Sequence, residues 1–209
     1  FPVVSGNVSF YNQTKEVGIK PTPVIGGVGL IKDYNKMITM DFKVEGNIVL
    51  AIGKTEGHLD QSLFARTILD EKNGPPPEIN LFNEKNNGET ILKLVEDNYI
   101  KSAHDVSLGG IIVGISKMCL KGNIGIELKK PRSLLSEFEY FFSEDQGRYI
   151  IEVSKSDIKK VTSFLEKNAV HYDEIGILKE KSIIFDEKTI VPIDELTSYN
   201  SNWLTDYMS

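Results

Sequence analysis

The residues best suited to chemistry fall in a few short clusters. Ser5 to Ser9, SGNVS, sets a glycine, a carboxamide and two hydroxyls at a break in an apolar run. A glycine at such a break lets a phosphate come close, and the oxygens of Asn7 and Ser9 could reach Mg²⁺ or a substrate hydroxyl. The same residues also make an ordinary polar turn, and spacing does not separate the two. Ser143 to Arg148, SEDQGR, stands directly ahead of a strand-like run and reads as a solvated turn with an internal Glu–Arg pair. His58, His104 and His171 lie in separate segments without an i, i+4 partner, so the spacing of a zinc site or a nucleophilic triad is lacking and each reads as structural. His104 and Asp105 could form a base with its orienting carboxylate. Neighbours in a strand point to opposite faces, however, which argues against direct pairing.

The stretch around which the rest is organised is Ser102 to Gly122, SAHDVSLGGIIVGISKMCLKG. A short run, Ala103 to Val106, leads through Gly109 and Gly110 into a helix, Ile111 to Leu120, that is apolar or small on nearly every side and must be packed on more than one face. Ser107 is placed to N-cap it. Free N–H groups at a glycine-rich helix start can hold an anion, but a lone glycine pair speaks more for a tight corner where backbones pass closely.

Composition bounds the function. The chain has 209 residues, 40% hydrophobic and 26% charged, with a net charge of −6 and a pI near 5.2. It can bury a core, and its acidic balance without a basic block argues against nucleic acid or a membrane surface as partner. Cys119 is the single cysteine, which excludes a disulfide framework or cysteine metal cluster and suggests a reducing compartment, the cytoplasm. No run approaches the ~20 apolar residues of a membrane helix. The start, Phe1 to Val4, is an apolar strand-like run without an initiator Met or a signal-peptide pattern, as expected of a fragment or processed piece.

In chain order, Pro2 to Ser9 is strand-like, Tyr11 to Lys20 a polar loop, and Pro21 to Ile31 a β-branched, glycine-spaced run expected as a buried strand. Asp33 to Lys36 is a turn, Met37 to Phe42 alternates loosely, and Asn47 to Gly53 is a second buried strand, with a domain boundary between 43 and 44. A helix carrying Leu63, Phe64, Thr67 and Ile68 is expected to end at Asn73-Gly74, ahead of Pro75 to Pro77. A second helix, Asn83 to Asp97, should turn Ile91, Leu92, Leu94 and Val95 inward. After the central segment come a strand with Ile124, Ile126 and Leu128 on one face, a helical then aromatic stretch from Pro131 to Phe142, and a strand from Tyr149 to Val153. A helix capped by Ser156 with Ile158, Val161, Phe164 and Leu165 inward stops at Asn168, and Ala169 to Leu178 and Ser182 to Phe185 read as closing strands. A tail helix, Ile193 to Tyr207, is expected to dock Trp203, Leu204 and Tyr207. Helices alternating with strands predict an α/β fold on a mixed sheet.

The runs PVVSGNVSFYN, PTPVIGGVGLI, GHLDQSLF, SAHDVSLGG and FFSEDQGRY, in this order, resemble successive signatures of the phosphoribosylformylglycinamidine synthases, in particular the small bacterial PurL-type synthetase subunit. The resemblance covers most of the chain but only the C-terminal portion of those longer proteins. It implies an AIR-synthetase-like (PurM-like) architecture: residues 1–43 as the end of the second ATP-binding domain, and residues 44–209 as the complete second C-terminal domain.

It also implies an ATP-dependent carbon–nitrogen ligase of purine biosynthesis. ATP would phosphorylate the amide oxygen of formylglycinamide ribonucleotide, and ammonia would displace the phosphate, with a glutaminase subunit delivering the ammonia and a small accessory subunit assisting assembly. By position, the resemblance assigns Gly6 to ATP, Asn7 to Mg²⁺ and Ser9 to the ribonucleotide, and it places the catalytic histidine and most other site residues ahead of Phe1. The isolated chain is then expected to be inactive. Leu108 stands where relatives carry aspartate in HDVSDGG, and Asp60 where they carry glycine or serine. The second half of these proteins is a degenerate copy of the first, so His104, Asp105 and the 143–148 cluster read as architectural. The alternatives are another ATP-using enzyme of the same superfamily, such as aminoimidazole ribonucleotide synthetase or selenophosphate synthetase, and a non-catalytic packing or assembly module.

Overall fold

The structure is a computed structural model that describes residues 2–185 and 189–209. The chain divides into two compact units, 1–32 and 33–209. In the first unit, β1 (Gln13–Thr14) and β2 (Val17–Gly18) form a small antiparallel hairpin, closed by Lys15 at φ 55° and by Ile19 N–H donating to the Asn12 carbonyl at 2.9 Å. The expected strands at 2–9 and 21–31 do not form. Val24, Ile25, Val28 and Leu30 are exposed. A strand is stable only when a neighbour completes its ladder, and no described residue pairs with either run.

The second unit is built on a seven-stranded mixed sheet. Its strands are β3 (Ile48–Ile52), β4 (Ser102–Asp105), β5 (Gly125–Leu128), β6 (Tyr149–Val153), β7 (Tyr172–Lys179), β8 (Ser182–Phe185) and β9 (Thr189–Pro192), in the order β4-β6-β3-β7-β5-β8-β9. All pairs are antiparallel except β5 with β8. The register sets Ile48 against Val153 and Ile52 against Tyr149. The run IVLAI is apolar throughout because side chains alternate between two buried faces. Val49 and Ala51 join one core with Ile111, Ile115, Met118, Cys119 and Phe141. Leu50 and Ile52 join the other with Ile91, Leu94, Val161 and Leu165.

Most helical side chains of those cores come from α2 (Leu81–Glu96) and α5 (Ile158–Lys167) on one face and from α3 (Gly110–Gly122) and α4 (Glu137–Phe142) on the other. Each fully buried Leu, Ile or Phe contributes about 1.5–3 kcal/mol. The mixed α/β fold agrees with the sequence, as do β3, β6 and the all-round apolar α3. Glu152 of β6 is fully buried and holds the chain leading into β3: it accepts from Lys43 N at 2.8 Å, Val44 N at 3.1 Å, Asn47 Nδ2 at 2.6 Å and Ser102 Oγ at 3.0 Å.

Several element boundaries differ from the sequence reading. The first helix, α1, covers only Leu63–Thr67, because Asp70 turns to φ 53° and Glu71 N–H bonds back to the Ala65 carbonyl. Leu92 of α2 is exposed. The 131–136 stretch is not helical: a capping box between Ser136 and Glu139 fixes the start of α4 at Glu137. Ser156 does not cap α5. Its hydroxyl pairs with Ser154 Oγ at 2.9 Å, and Asp157 takes the cap position. The tail helix, α6 (Ile193–Met208), forms, but Trp203, Leu204 and Tyr207 are exposed. Only its first turns, through Ile193 and Leu196, reach the core.

Candidate functional site

Gly6, Asn7 and Ser9 lie in the first unit, ahead of β1, in a segment without regular structure, and all three are exposed. A Cβ built on Gly6 would meet no atom within 4 Å. In this segment the Ser9 carbonyl, not its hydroxyl, accepts a hydrogen bond, from Asn12 Nδ2. These residues are brought together by adjacency in the chain alone, and the carboxamide and hydroxyl are left open to a ligand. Asn7 offers one neutral hard oxygen of the kind Mg²⁺ accepts, which fits one ligand of a coordination shell and not a whole one.

The tightly built constellation is in the second unit, where the GHLDQSLF, SAHDVSLGG and FFSEDQGRY segments converge. The Asp145 carboxylate accepts three consecutive backbone N–H groups, from Glu56 at 3.0 Å, Gly57 at 3.1 Å and His58 at 3.2 Å. Gly57 is at φ 84°, where an L side chain is strained, and a Cβ there would also push on Leu135 Cδ2 at 2.8 Å, so the turn favours glycine. Glu144 Oε1 accepts from Leu63 N at 2.7 Å and from Gly109 N at 2.8 Å. Arg148 donates to the Ser143 carbonyl at 2.6 Å, Thr55 Oγ1 at 3.1 Å and the Asp145 carbonyl at 3.2 Å, and its Nη1 lies 3.7 Å from the Asp145 carboxylate. Asn87 of α2 reaches over to the Gly147 carbonyl at 2.9 Å.

This corrects the reading of 143–148 as a solvated turn with a Glu–Arg pair. Ser143, Asp145 and Arg148 are buried, Arg148 to 2% exposure, and its acidic partner is Asp145. Burial pulls the Arg148 guanidinium below its usual range, with the Asp145 charge foremost in opposing it, and a guanidinium stays cationic throughout. The glycine turn both closes a corner and holds an anion. A Cβ on Gly110 would lie 2.5 Å from the Ser143 carbonyl oxygen, and the anion at the helix start is the chain's own Glu144. Ser107 is not the cap: Gly109, at φ 86°, takes that position without any side-chain cap bond. A cleft of about 710 Å³ opens beside the hub, lined by Lys54, Glu56, Glu78, Asn83, Glu84 and Asp145 among others.

The histidines stay in separate surroundings. His58 Nε2 is 3.1 Å from the Pro75 carbonyl. His104 Nδ1 does sit 3.2 Å from Asp105 Oδ1, against the alternation argument, because Asp105 is the exposed last residue of β4 and its side chain is free to swing beside the ring. His171 Nε2 is 3.3 Å from Asp173 Oδ2, which also accepts from the Tyr140 hydroxyl at 2.8 Å. Among the described residues no group of three His, Cys, Asp or Glu is placed to hold a metal. Cys119 is fully buried, and burial pushes its thiol up to about 12. The Asp145 and Glu144 contacts escaped the sequence reading. Their one local trace was a polar hexapeptide wedged between the aromatic Phe141-Phe142 and an apolar strand.

Residues 44–186 match the model of the family described as AIR synthase related protein, C-terminal domain. The chain belongs to that family. Among curated relatives, this AIR-synthase-related chain is 69% identical over 208 residues to the phosphoribosylformylglycinamidine synthase subunit PurL of Pelagibacter ubique, covering 100% of this chain and 28% of that protein. It is 38% identical over 208 residues to PurL of Rhodopseudomonas palustris strain BisB5, with the same coverage. The chain thus spans 28% of the length of these relatives. Among solved structures, T. maritima PurL complexed with FGAR aligns with TM-score 0.66 at 20% identity, over 78% of this chain and 29% of that one. E. coli HypE, a hydrogenase maturation protein, aligns with TM-score 0.55 at 16% identity, over 75% of this chain and 52% of that one. These alignments show a shared fold.

Proposed function

We propose that this chain works as part of a PurL-type phosphoribosylformylglycinamidine synthase in the cytoplasm, an ATP-dependent carbon–nitrogen ligase of purine biosynthesis. The observation that supports this reading is the 69% identity to a PurL subunit along the whole chain. The T. maritima structures of the same fold carry FGAR or ATP, and one is of PurLQS. The substrate is then formylglycinamide ribonucleotide, and the partners are an ammonia-delivering glutaminase subunit and a small accessory subunit.

In this reading residues 1–43 close an ATP-binding domain and 44–209 form an AIR-synthetase-like C-terminal domain. Gly6, without a side chain, lets an ATP phosphate approach the backbone closely. Asn7 supplies one oxygen to Mg²⁺, which would neutralise charge on the transferring phosphoryl group. Ser9 offers its hydroxyl to the ribonucleotide. The second unit contributes architecture, since the carboxylates of its hub are already occupied by backbone N–H groups.

The test is ATP turnover. The full-length protein containing this chain should release ADP only when formylglycinamide ribonucleotide and ammonia are both present, and the 209-residue chain alone should release none. Ribonucleotide-independent turnover by the full-length protein, or amidine formation by the chain alone, would overturn the reading.

A further inference from the structure

We propose that the loop at residues 55–58 is an oxyanion cradle, shaped for a carboxylate or phosphate, which the chain keeps filled with its own Asp145. Three successive N–H groups converging on one anion form the concave backbone nest that binds carboxylates and phosphates in general. Here they meet at 3.0, 3.1 and 3.2 Å on the two oxygens of a planar carboxylate. The shape of the loop depends on Gly57 at φ 84°, hemmed in by Leu135 and Glu139. Charge is provided for as well. Arg148, buried to 2% exposure, stands 3.7 Å behind the carboxylate and is fixed by Thr55 of the same loop at 3.1 Å.

The cradle is a binding surface and not merely a core contact, because Glu56, Gly57, His58 and Asp145 all line the cleft of about 710 Å³. An ion from solvent has a path to the seat that Asp145 occupies. While Asp145 is there the seat is closed, and Glu78 and Glu84 on the cleft wall repel a second anion, the charge of Glu56 being offset by Lys54 at 2.6 Å. Removing the side chain, as in Asp145→Gly, leaves three N–H donors and a buried guanidinium without their anion. A small oxyanion should then replace it. This holds whichever reaction the full-length protein performs.

Amide hydrogen exchange of the full-length protein tests the proposal, at constant ionic strength with chloride, formate or inorganic phosphate. In the native sequence the amides of Glu56, Gly57 and His58 should be protected alike in all three salts. In Asp145→Gly they should exchange faster in chloride by about tenfold or more and regain protection in formate, the missing carboxylate, or in phosphate, while β3 stays protected throughout. Asp145→Asn, which still fills the seat, should respond to neither anion. Formate and phosphate acting no better than chloride on Asp145→Gly would overturn the proposal, as would phosphate adding protection to the native loop. Should Asp145→Gly lose protection in β3 as well, formate must restore it, and failure to do so counts equally against the cradle.

Discussion

Glu144 Oε1 accepts the backbone N–H of Gly109 at 2.8 Å and so supplies α3 with the anion that its own sequence lacks. Gly109 has no side chain to cap with, and α3 has no acidic residue in its first turn. A carboxylate delivered from the segment between α4 and β6 satisfies both the open donor and the positive end of the helix. Because the same oxygen also accepts from Leu63 N at 2.7 Å, one side chain ties the starts of α1 and α3 together.

Replacing Glu144 should therefore destabilise more than a half-exposed residue ordinarily would. Glu144→Gln keeps a neutral acceptor and should cost about 1 kcal/mol, whereas Glu144→Ala leaves both donors without a partner and should cost about 2–4 kcal/mol. Urea unfolding of the two variants checks the order. Equal, small losses would show that water replaces the carboxylate freely.

A pH dependence follows from the His171–Asp173 pair. The hydrogen bond that His171 donates to Asp173 raises the affinity of His171 for its proton above the ordinary value near 6.5. For Asp173 burial acts in the raising direction, but the His171 and Tyr140 hydrogen bonds outweigh it and leave the carboxyl below its ordinary 3.8. The stabilisation from His171 is therefore fully present below pH 6.5 and is lost as pH rises through its folded value. That from Asp173 is present above pH 3.8 and is lost as pH falls through its lowered value. An NMR titration should find the His171 midpoint above the ordinary histidine range in the native protein and lower in Asp173→Asn. An unchanged midpoint in the variant would remove Asp173 as the cause.

Cys119 should be inert. Its thiol is buried and held up at about 12, so at neutral pH almost none is thiolate, the reactive form. A thiol reagent such as dithionitrobenzoate should leave this position unmodified in the folded protein and label it in denaturant. Fast labelling at Cys119 without denaturant would mean that α3 opens.

Much of the second unit is legible in local pattern, and the exceptions share a cause. β3 and β6 declare themselves as β-branched apolar runs, and α3 as an apolar helix after a glycine pair, because these signals are carried by consecutive residues. The burial of Asp145 and Arg148 is not written in SEDQGR. It arises from N–H groups about ninety positions away, at 56–58. Asp105 beside His104 violates strand alternation only because β4 ends there. Pro21 to Ile31 has strand composition, but no described residue pairs with it, and composition cannot supply a partner. The roles given to Gly6, Asn7 and Ser9 came from family resemblance, since SGNVS by itself reads equally as a turn.

The most direct test of the proposed role is steady-state kinetics of Gly6→Val, Asn7→Ala and Ser9→Ala in the full-length protein, with Mg·ATP and formylglycinamide ribonucleotide varied separately. Thermal melts of the three variants, run beside the kinetics, give the folded fraction against which each activity is read. Gly6→Val should abolish ATP use, Asn7→Ala should raise the requirement for Mg·ATP, and Ser9→Ala should raise the ribonucleotide KM by roughly fivefold, the equivalent of about 1 kcal/mol, with ATP dependence nearly unchanged. Three variants with native kinetics, or with activity lost only in proportion to folded protein, would contradict the account and leave the segment an ordinary turn.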